Sequence, residues 1–110
     1  MAQTAVKVLF SHSHRSLEEQ LNQWLEQVSG TVTITGISMD SNDLGHCLVL
    51  LYEDGGERHY YRGHVFFHRR HSGLEQEAHH GLNEAGAQWG RFVALESNQH
   101  GHCLCVVEEY

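Results

Sequence analysis

The stretch KVLFSHSHRSLEEQLNQWLEQ, Lys7 to Gln27, has a counterpart later in the chain, HVFFHRRHSGLEQEAHHGLNE, His64 to Glu84. At an offset of 57, Val8 falls on Val65, Phe10 on Phe67, His14 on His71, Leu17 on Leu74, Glu18 on Glu75 and Leu25 on Leu82. A second pair follows. MDSNDLGHCLVLLYE from Met39 lies over LESNQHGHCLCVVEE from Leu95 at an offset of 56. There Ser41-Asn42 falls on Ser97-Asn98, and Gly45-His46-Cys47-Leu48 on the identical Gly101-His102-Cys103-Leu104. Self-similarity at a fixed period marks a repeated structural unit. The chain therefore reads as a single domain made of two copies of one unit, residues 1–54 and 58–110.

Each copy alternates between strand and helix periodicity. Val6, Val8 and Phe10 share one face of a short strand. Ser16 and Glu19 have the spacing of a capping box, which predicts a helix start. Leu17, Leu21, Trp24, Leu25 and Val28 then fall on one helical stripe, with Gly30 just past its end. Thr31 to Met39 is β-branched and alternating, with a phase slip at Thr35-Gly36 that predicts a bulge. His46 to Glu53 is a third strand, and Glu53 to Glu57 has the composition of a turn. In the second copy the expected elements are a strand from Arg58 to His68 and a helix opened by a box at Ser72 and Glu75. Its stripe is Leu74, Ala78, Leu82, Ala85 and Trp89, it is weakened by Gly81 and Gly86, and Gly90 ends it. Strands over Arg91 to Glu96 and Cys103 to Glu109 complete the copy. The order βαββ-βαββ predicts an α+β fold. A right-handed crossover makes the first two strands of each unit parallel and the third returns antiparallel. The expected whole is a mixed six-stranded sheet with both helices on one face.

Composition narrows the function. The 110 residues carry 14 acidic and 7 basic side chains, for a net charge of −7. That balance argues against a nucleic-acid-binding surface and against anionic membranes. The longest strongly apolar run, Cys47 to Tyr52, is far short of the about 20 residues that span a bilayer. The N-terminal segment has no charged leader followed by an apolar stretch. With three cysteines, an odd number, the expectation is reduced thiols in a cytoplasm. Eleven histidines make up a tenth of the chain. Protonating all of them, near pH 6.5 for a free imidazole, would turn the charge from −7 to +4.

The topology gathers polar residues where strands end and helices begin. In the first unit His12, His14, Arg15 and Ser16 should approach Ser41, Asn42, His46 and Cys47. In the second, His68, Arg69, Arg70, His71 and Ser72 should approach Ser97, Asn98, His102 and Cys103. The anion- or ligand-binding candidates are His14, Arg15, Ser16, His46, Arg69, Arg70, His71, Ser72 and His102, because helix N-termini, guanidinium groups and imidazoles all attract anions. His100-x-His102-Cys103-x-Cys105 groups residues that suit zinc, but neighbouring strand residues point to opposite faces, so His102 and Cys103 should not share an ion. No phosphate-loop or dinucleotide signature is present. No catalytic residue is assigned. A Cys–His nucleophile would need side chains brought together, which adjacency of His46 and Cys47 does not do.

KVLF, LEEQLNQWLEQ, VTITGISM and LVLLYE make residues 6–54 resemble a family of small bacterial sporulation proteins controlled by sigma-E. The resemblance implies a bacterial chain with the same strand-helix-strand-strand unit, here followed by a second copy, and brings no assigned activity. The expected protein is thus a small non-catalytic binding or interaction module, without a cofactor. Consecutive apolar residues at Cys47–Leu51, Val65–Phe67 and Cys103–Val107 ask for cover on both sheet faces, so a homodimer is expected. The alternative is a metal- or anion-dependent small-molecule site, built from His, Arg and Cys.

Overall fold

The computed structural model describes residues 3–55, 59–87 and 90–110. The pattern β-α-β-β occurs twice: β1 (Thr4–Ser11), α1 (His14–Val28), β2 (Val32–Asn42) and β3 (Gly45–Asp54), then β4 (Tyr61–His68), α2 (His71–Glu84), β5 (Gly90–Asn98) and β6 (Gly101–Glu109). The α+β class and the element order agree with the sequence. The expected strand start at Arg58, the turn residues Gly56-Glu57 and the stripe residue Trp89 lie outside the described residues.

Both helices start earlier than their boxes predict. Ser13, with extended backbone, is the cap of α1, and its Oγ accepts the Ser16 N–H at 3.1 Å. Ser16 therefore sits inside the first turn. In α2 the cap position falls to Arg70, whose side chain makes no capping bond. This helix closes at Gly86, in the left-handed region at φ 67°, rather than at Gly90. Gly81 also has a packing role. A Cβ there would lie 2.5 Å from the Phe66 ring, so the glycine lets α2 approach its sheet.

The strands form two separate three-stranded sheets, ordered β1-β3-β2 and β4-β6-β5, in which every neighbouring pair is antiparallel. The expected single mixed sheet does not form. In each unit the last strand inserts between the parallel first two, so each sheet is complete by itself. The predicted bulge is present between Ile34 and Gly36, and a second sits at the corresponding place between Gly90 and Phe92. These bulges interrupt the edge strands β2 and β5, where the two sheets meet, and a bulge twists a strand away from further pairing.

Helix α1 lies against both sheets. Leu17, Leu21, Trp24 and Leu25 share one core with Leu9, Ile34, Leu48 and Leu50 of the first unit and Tyr61, Val65, Cys103, Cys105 and Val107 of the second. Burying one such aliphatic side chain stabilises the fold by about 1.5–3 kcal/mol. Polar groups of α1 also occupy the free edge of β4. Asn22 donates to Gly63 O at 2.9 Å and accepts from Gly63 N at 2.8 Å, while Glu18 Oε2 accepts the Val65 N–H at 2.7 Å. The contact needs Gly63, since a Cβ there would come within 2.2 Å of Leu21 Cδ2. Gly63 faces α1 and Phe66 faces α2, on opposite sides of the strand. The two helices therefore flank the second sheet rather than sharing a face, because α1 is drawn into the inter-unit core.

Apolar side chains stay exposed on both sheets: Val93 and Leu95 on β5 are 62% and 58% exposed, and a larger group lies on the first sheet. Val6, Val8 and Phe10 on β1, with Leu51 on β3, are 57%, 56%, 45% and 40% exposed. Among the described residues no helix is long and apolar enough to cross a membrane.

Candidate functional site

The hairpin turns and helix starts of the two units meet at one end of the molecule. Asn98 Nδ2 donates to Ser41 Oγ at 2.8 Å, and Gln99 Nε2 donates to Asp43 Oδ1 at 2.8 Å, so the β5–β6 turn is tied to the β2–β3 turn. Beneath this seam lies a cleft of about 360 Å³, lined by His12, His14 and His46 from the first unit and by Phe67, Asn98 and His100 from the second. Phe67 organises it. The His14 ring stacks on it at 5.7 Å, and the His46 ring meets it obliquely at 6.3 Å. Burial, then the nearby Arg15 and His46 charges, holds the His14 imidazole below its ordinary value, so His14 resists protonation. His12 is held by its Nδ1 against Leu44 O at 2.6 Å.

Behind His46, which lines the cleft, lies a buried cluster of unusual chemistry. Glu96 on β5 lies directly across from Cys103 on β6, so strand alternation puts both side chains on the inner face. His46, at the start of β3, reaches across from the first unit and its Nδ1 bonds Glu96 Oε1. His46, Glu96 and Cys103 are all buried, and each offers one ligand atom within 4.8 Å of the others. Glu96 Oε2 is buried without a hydrogen-bond partner. The Cys103 thiol is pushed up to about 12, first by burial and then by the nearby Glu96 charge. Cys105, two residues along the same face, is also raised to about 12, chiefly by burial. Neither thiol is a nucleophile at neutral pH, since the thiolate is the reactive form.

Of the sequence candidates, His14 and His46 line the cleft and Ser16 binds Ser13 through its backbone N–H. Arg15, Arg69 and Arg70 are exposed and do not line it. His71 and His102 approach each other at 6.4 Å in the second unit, where His102 Nδ1 also meets Ser97 Oγ at 2.6 Å. Ser72 belongs instead to a groove of about 630 Å³ along α2, with Glu75, Gln76, His79, His80 and Asn83. That groove is larger than the cleft, but its lining is exposed polar helix surface, so the buried trio at the seam is the stronger chemical site. The two sequence-matched half-sites are thus unequal: one is roofed by the other unit, and its counterpart stays on the surface.

Sequence reasoning passed over Glu96 and Phe67, and it did not bring His46 against Cys103. His102 and Cys103 do point to opposite sides, as expected. A signal for Glu96 was available, because the tight Asn98–Gly101 turn fixes a register that sets Glu96 opposite Cys103. The approach of His46 comes from packing between units, which no local pattern encodes. No protein-family model, curated protein or solved structure matches this chain.

Proposed function

We propose that the protein is a small non-catalytic interaction module whose partner is a second copy of itself. Its two units are copies of one duplicated sequence, and the contact between units inside the chain is the template for the contact between chains. One observation carries this reading. The Gly63–Val65–Phe67 face of the second sheet is covered by α1, whereas the corresponding Val6–Val8–Phe10 face of the first sheet lies open.

The covering groups are also duplicated. His14, Glu18 and Asn22 of α1 correspond to His71, Glu75 and His79 of α2, all exposed. Leu21 fills the space above Gly63; the corresponding positions are Val6, which is exposed, and Ala78, which is already buried within its own chain. The edge of β1 offers Glu75 and His79 of a neighbour the backbone groups that Glu18 and Asn22 find on β4. Two such head-to-tail contacts close a homodimer, and closure prevents an open filament. An apolar sheet face of this kind is otherwise unusual on a monomer.

Sedimentation velocity at micromolar concentration tests the proposal, with an expected mass twice the 12.5 kDa of one chain. Val8→Glu on the open face and the double change Glu75→Ala, His79→Ala on α2 should each give monomers. A monomeric parent protein overturns the proposal. Dissociation by Val8→Glu alone, with the α2 variant still dimeric, would show face-to-face pairing instead and overturn the head-to-tail contact.

A second reading, a small anionic ligand at the seam, is favoured by the cleft and its imidazoles. Inorganic phosphate titrated at pH 6 should then shift the amide signals of His14 and His46 before others, and unmoved signals remove this reading.

A further inference from the structure

We propose that His46, Glu96 and Cys103 form a zinc(II) site that pins the two units together. The three residues come from three strands, β3, β5 and β6, and their ligand atoms already converge within 4.8 Å. One imidazole nitrogen, one carboxylate oxygen and one thiolate sulfur is a donor set that suits zinc and suits magnesium or calcium poorly.

Three further observations support the assignment. First, charge balances. A divalent ion with one carboxylate, one thiolate and one neutral imidazole sums to zero, so the ion can sit in a site where the Glu96 side chain is 2% exposed. Second, the pairing without an ion is incomplete. His46 satisfies Glu96 Oε1, but Oε2 is left buried with no partner, and buried carboxylate oxygens are ordinarily paired. Third, the corresponding acid and thiol of the first unit are differently placed. Asp40 lies across from Cys47 on the outer, uncovered face, where Asp40 is exposed, and among the described residues the pair joins no third ligand. The trio is assembled only where the two units meet.

Binding is a proton exchange. The Cys103 S–H bond breaks, its proton passes to solvent, and the sulfur electron pair goes to the ion. His46 gives a ring-nitrogen lone pair, and Glu96 exchanges its bond to His46 for the metal. A tetrahedral ion would leave its fourth position to water, and His46 is the member of the trio that lines the cleft. Such an ion joins residues 46 and 96–103 across the seam, so it should stabilise the fold as well as occupy it.

The test titrates zinc alone into metal-free, untagged protein by calorimetry in two buffers of different ionisation heat. One equivalent should bind tightly with release of about one proton. Cobalt(II) in its place should give a thiolate-to-metal charge-transfer band. Cys103→Ser should abolish the band and weaken zinc binding at least tenfold, and His46→Gln should weaken it similarly. Cys47→Ser and Cys105→Ser should keep both. If Cys103→Ser does not fold, persistence of the band in each of the other two cysteine variants still assigns it to Cys103. Cobalt bound without a thiolate band, a band lost with Cys47 or Cys105, or zinc affinity unchanged in Cys103→Ser overturns the site.

Discussion

Removing the Asn22 carboxamide is the sharpest probe of how the units are joined. Asn22 stands on α1, yet both hydrogen bonds that matter are made to the backbone of Gly63 on β4, at 2.9 and 2.8 Å. Gly63 is buried, so in Asn22→Ala its N–H and C=O lose their partners away from water. Each buried group left unpaired costs about 1–3 kcal/mol. Alanine recovers up to about 0.7 kcal/mol of helix propensity over asparagine. The net expectation is a loss of roughly 2–4 kcal/mol, a large share of the about 5–15 kcal/mol that holds a typical domain. Urea denaturation followed by circular dichroism reads it directly, as a lower midpoint at unchanged slope. The transition should remain single, because one core serves both units. Asn22→Asp keeps the acceptor for Gly63 N–H and loses only the donor, so it should fall between. Hydrogen exchange at the Gly63 amide should accelerate in the alanine variant and less in the aspartate one. A loss below about 0.5 kcal/mol in Asn22→Ala would mean that water replaces the carboxamide, and the idea that α1 completes the β4 edge would fail.

Three further outcomes follow from the packing. Gly63→Ala should destabilise by about 1–3 kcal/mol, because its Cβ meets Leu21 and overpacking forces the helix outward; a neutral result in the same urea assay would contradict the close approach. Cys47 is half-buried, while Cys103 and Cys105 are buried with pKa values of about 12, so in metal-free protein a disulfide reagent at pH 8 should label one thiol quickly and two only on unfolding. The His14 imidazole is lowered in the folded state, so the unfolded chain binds that proton more readily. Its stabilising contribution is present above about pH 6.5 and is lost as pH falls through the lower folded value. Denaturation midpoints between pH 7.5 and 5 should therefore fall less steeply in His14→Gln than in the parent protein.

The elements were legible because they follow from local spacing. The stripe of Leu17, Leu21, Trp24 and Leu25 needs only helical periodicity, and all four are buried. The slip at Thr35-Gly36 was visible as a change of phase. The cap of α1 was not, because Ser13 and Ser16 are equally good cap residues and the backbone, extended at Ser13, decides between them. The layering was hidden for a different reason. An apolar strand such as Val65–Phe67 reads the same whether its cover is its own helix or the other unit's, and Gly63 looks like a weak strand position until Leu21 is placed beside it. In the site, His14 and His46 were legible from topology alone. Glu96 was not, because an acid near a strand end reads as solvent-facing.

The filled edge of β4 has a consequence for how this chain resists misassembly. A strand with open backbone groups can recruit another, and α1 removes that opportunity from β4 by occupying it with Glu18 and Asn22. The first unit has no such guard. Strand β1 combines an outer edge with an apolar outer face, and Lys7 is the one charged side chain within Thr4–Ser11. Edge lysines discourage strand-to-strand annealing, because a second strand in register would bring two ammonium groups together. Lys7 is thus a gatekeeper. A heated or truncated chain should aggregate first through β1, and under the proposed self-association the segment that seeds fibres is the one that would close the dimer.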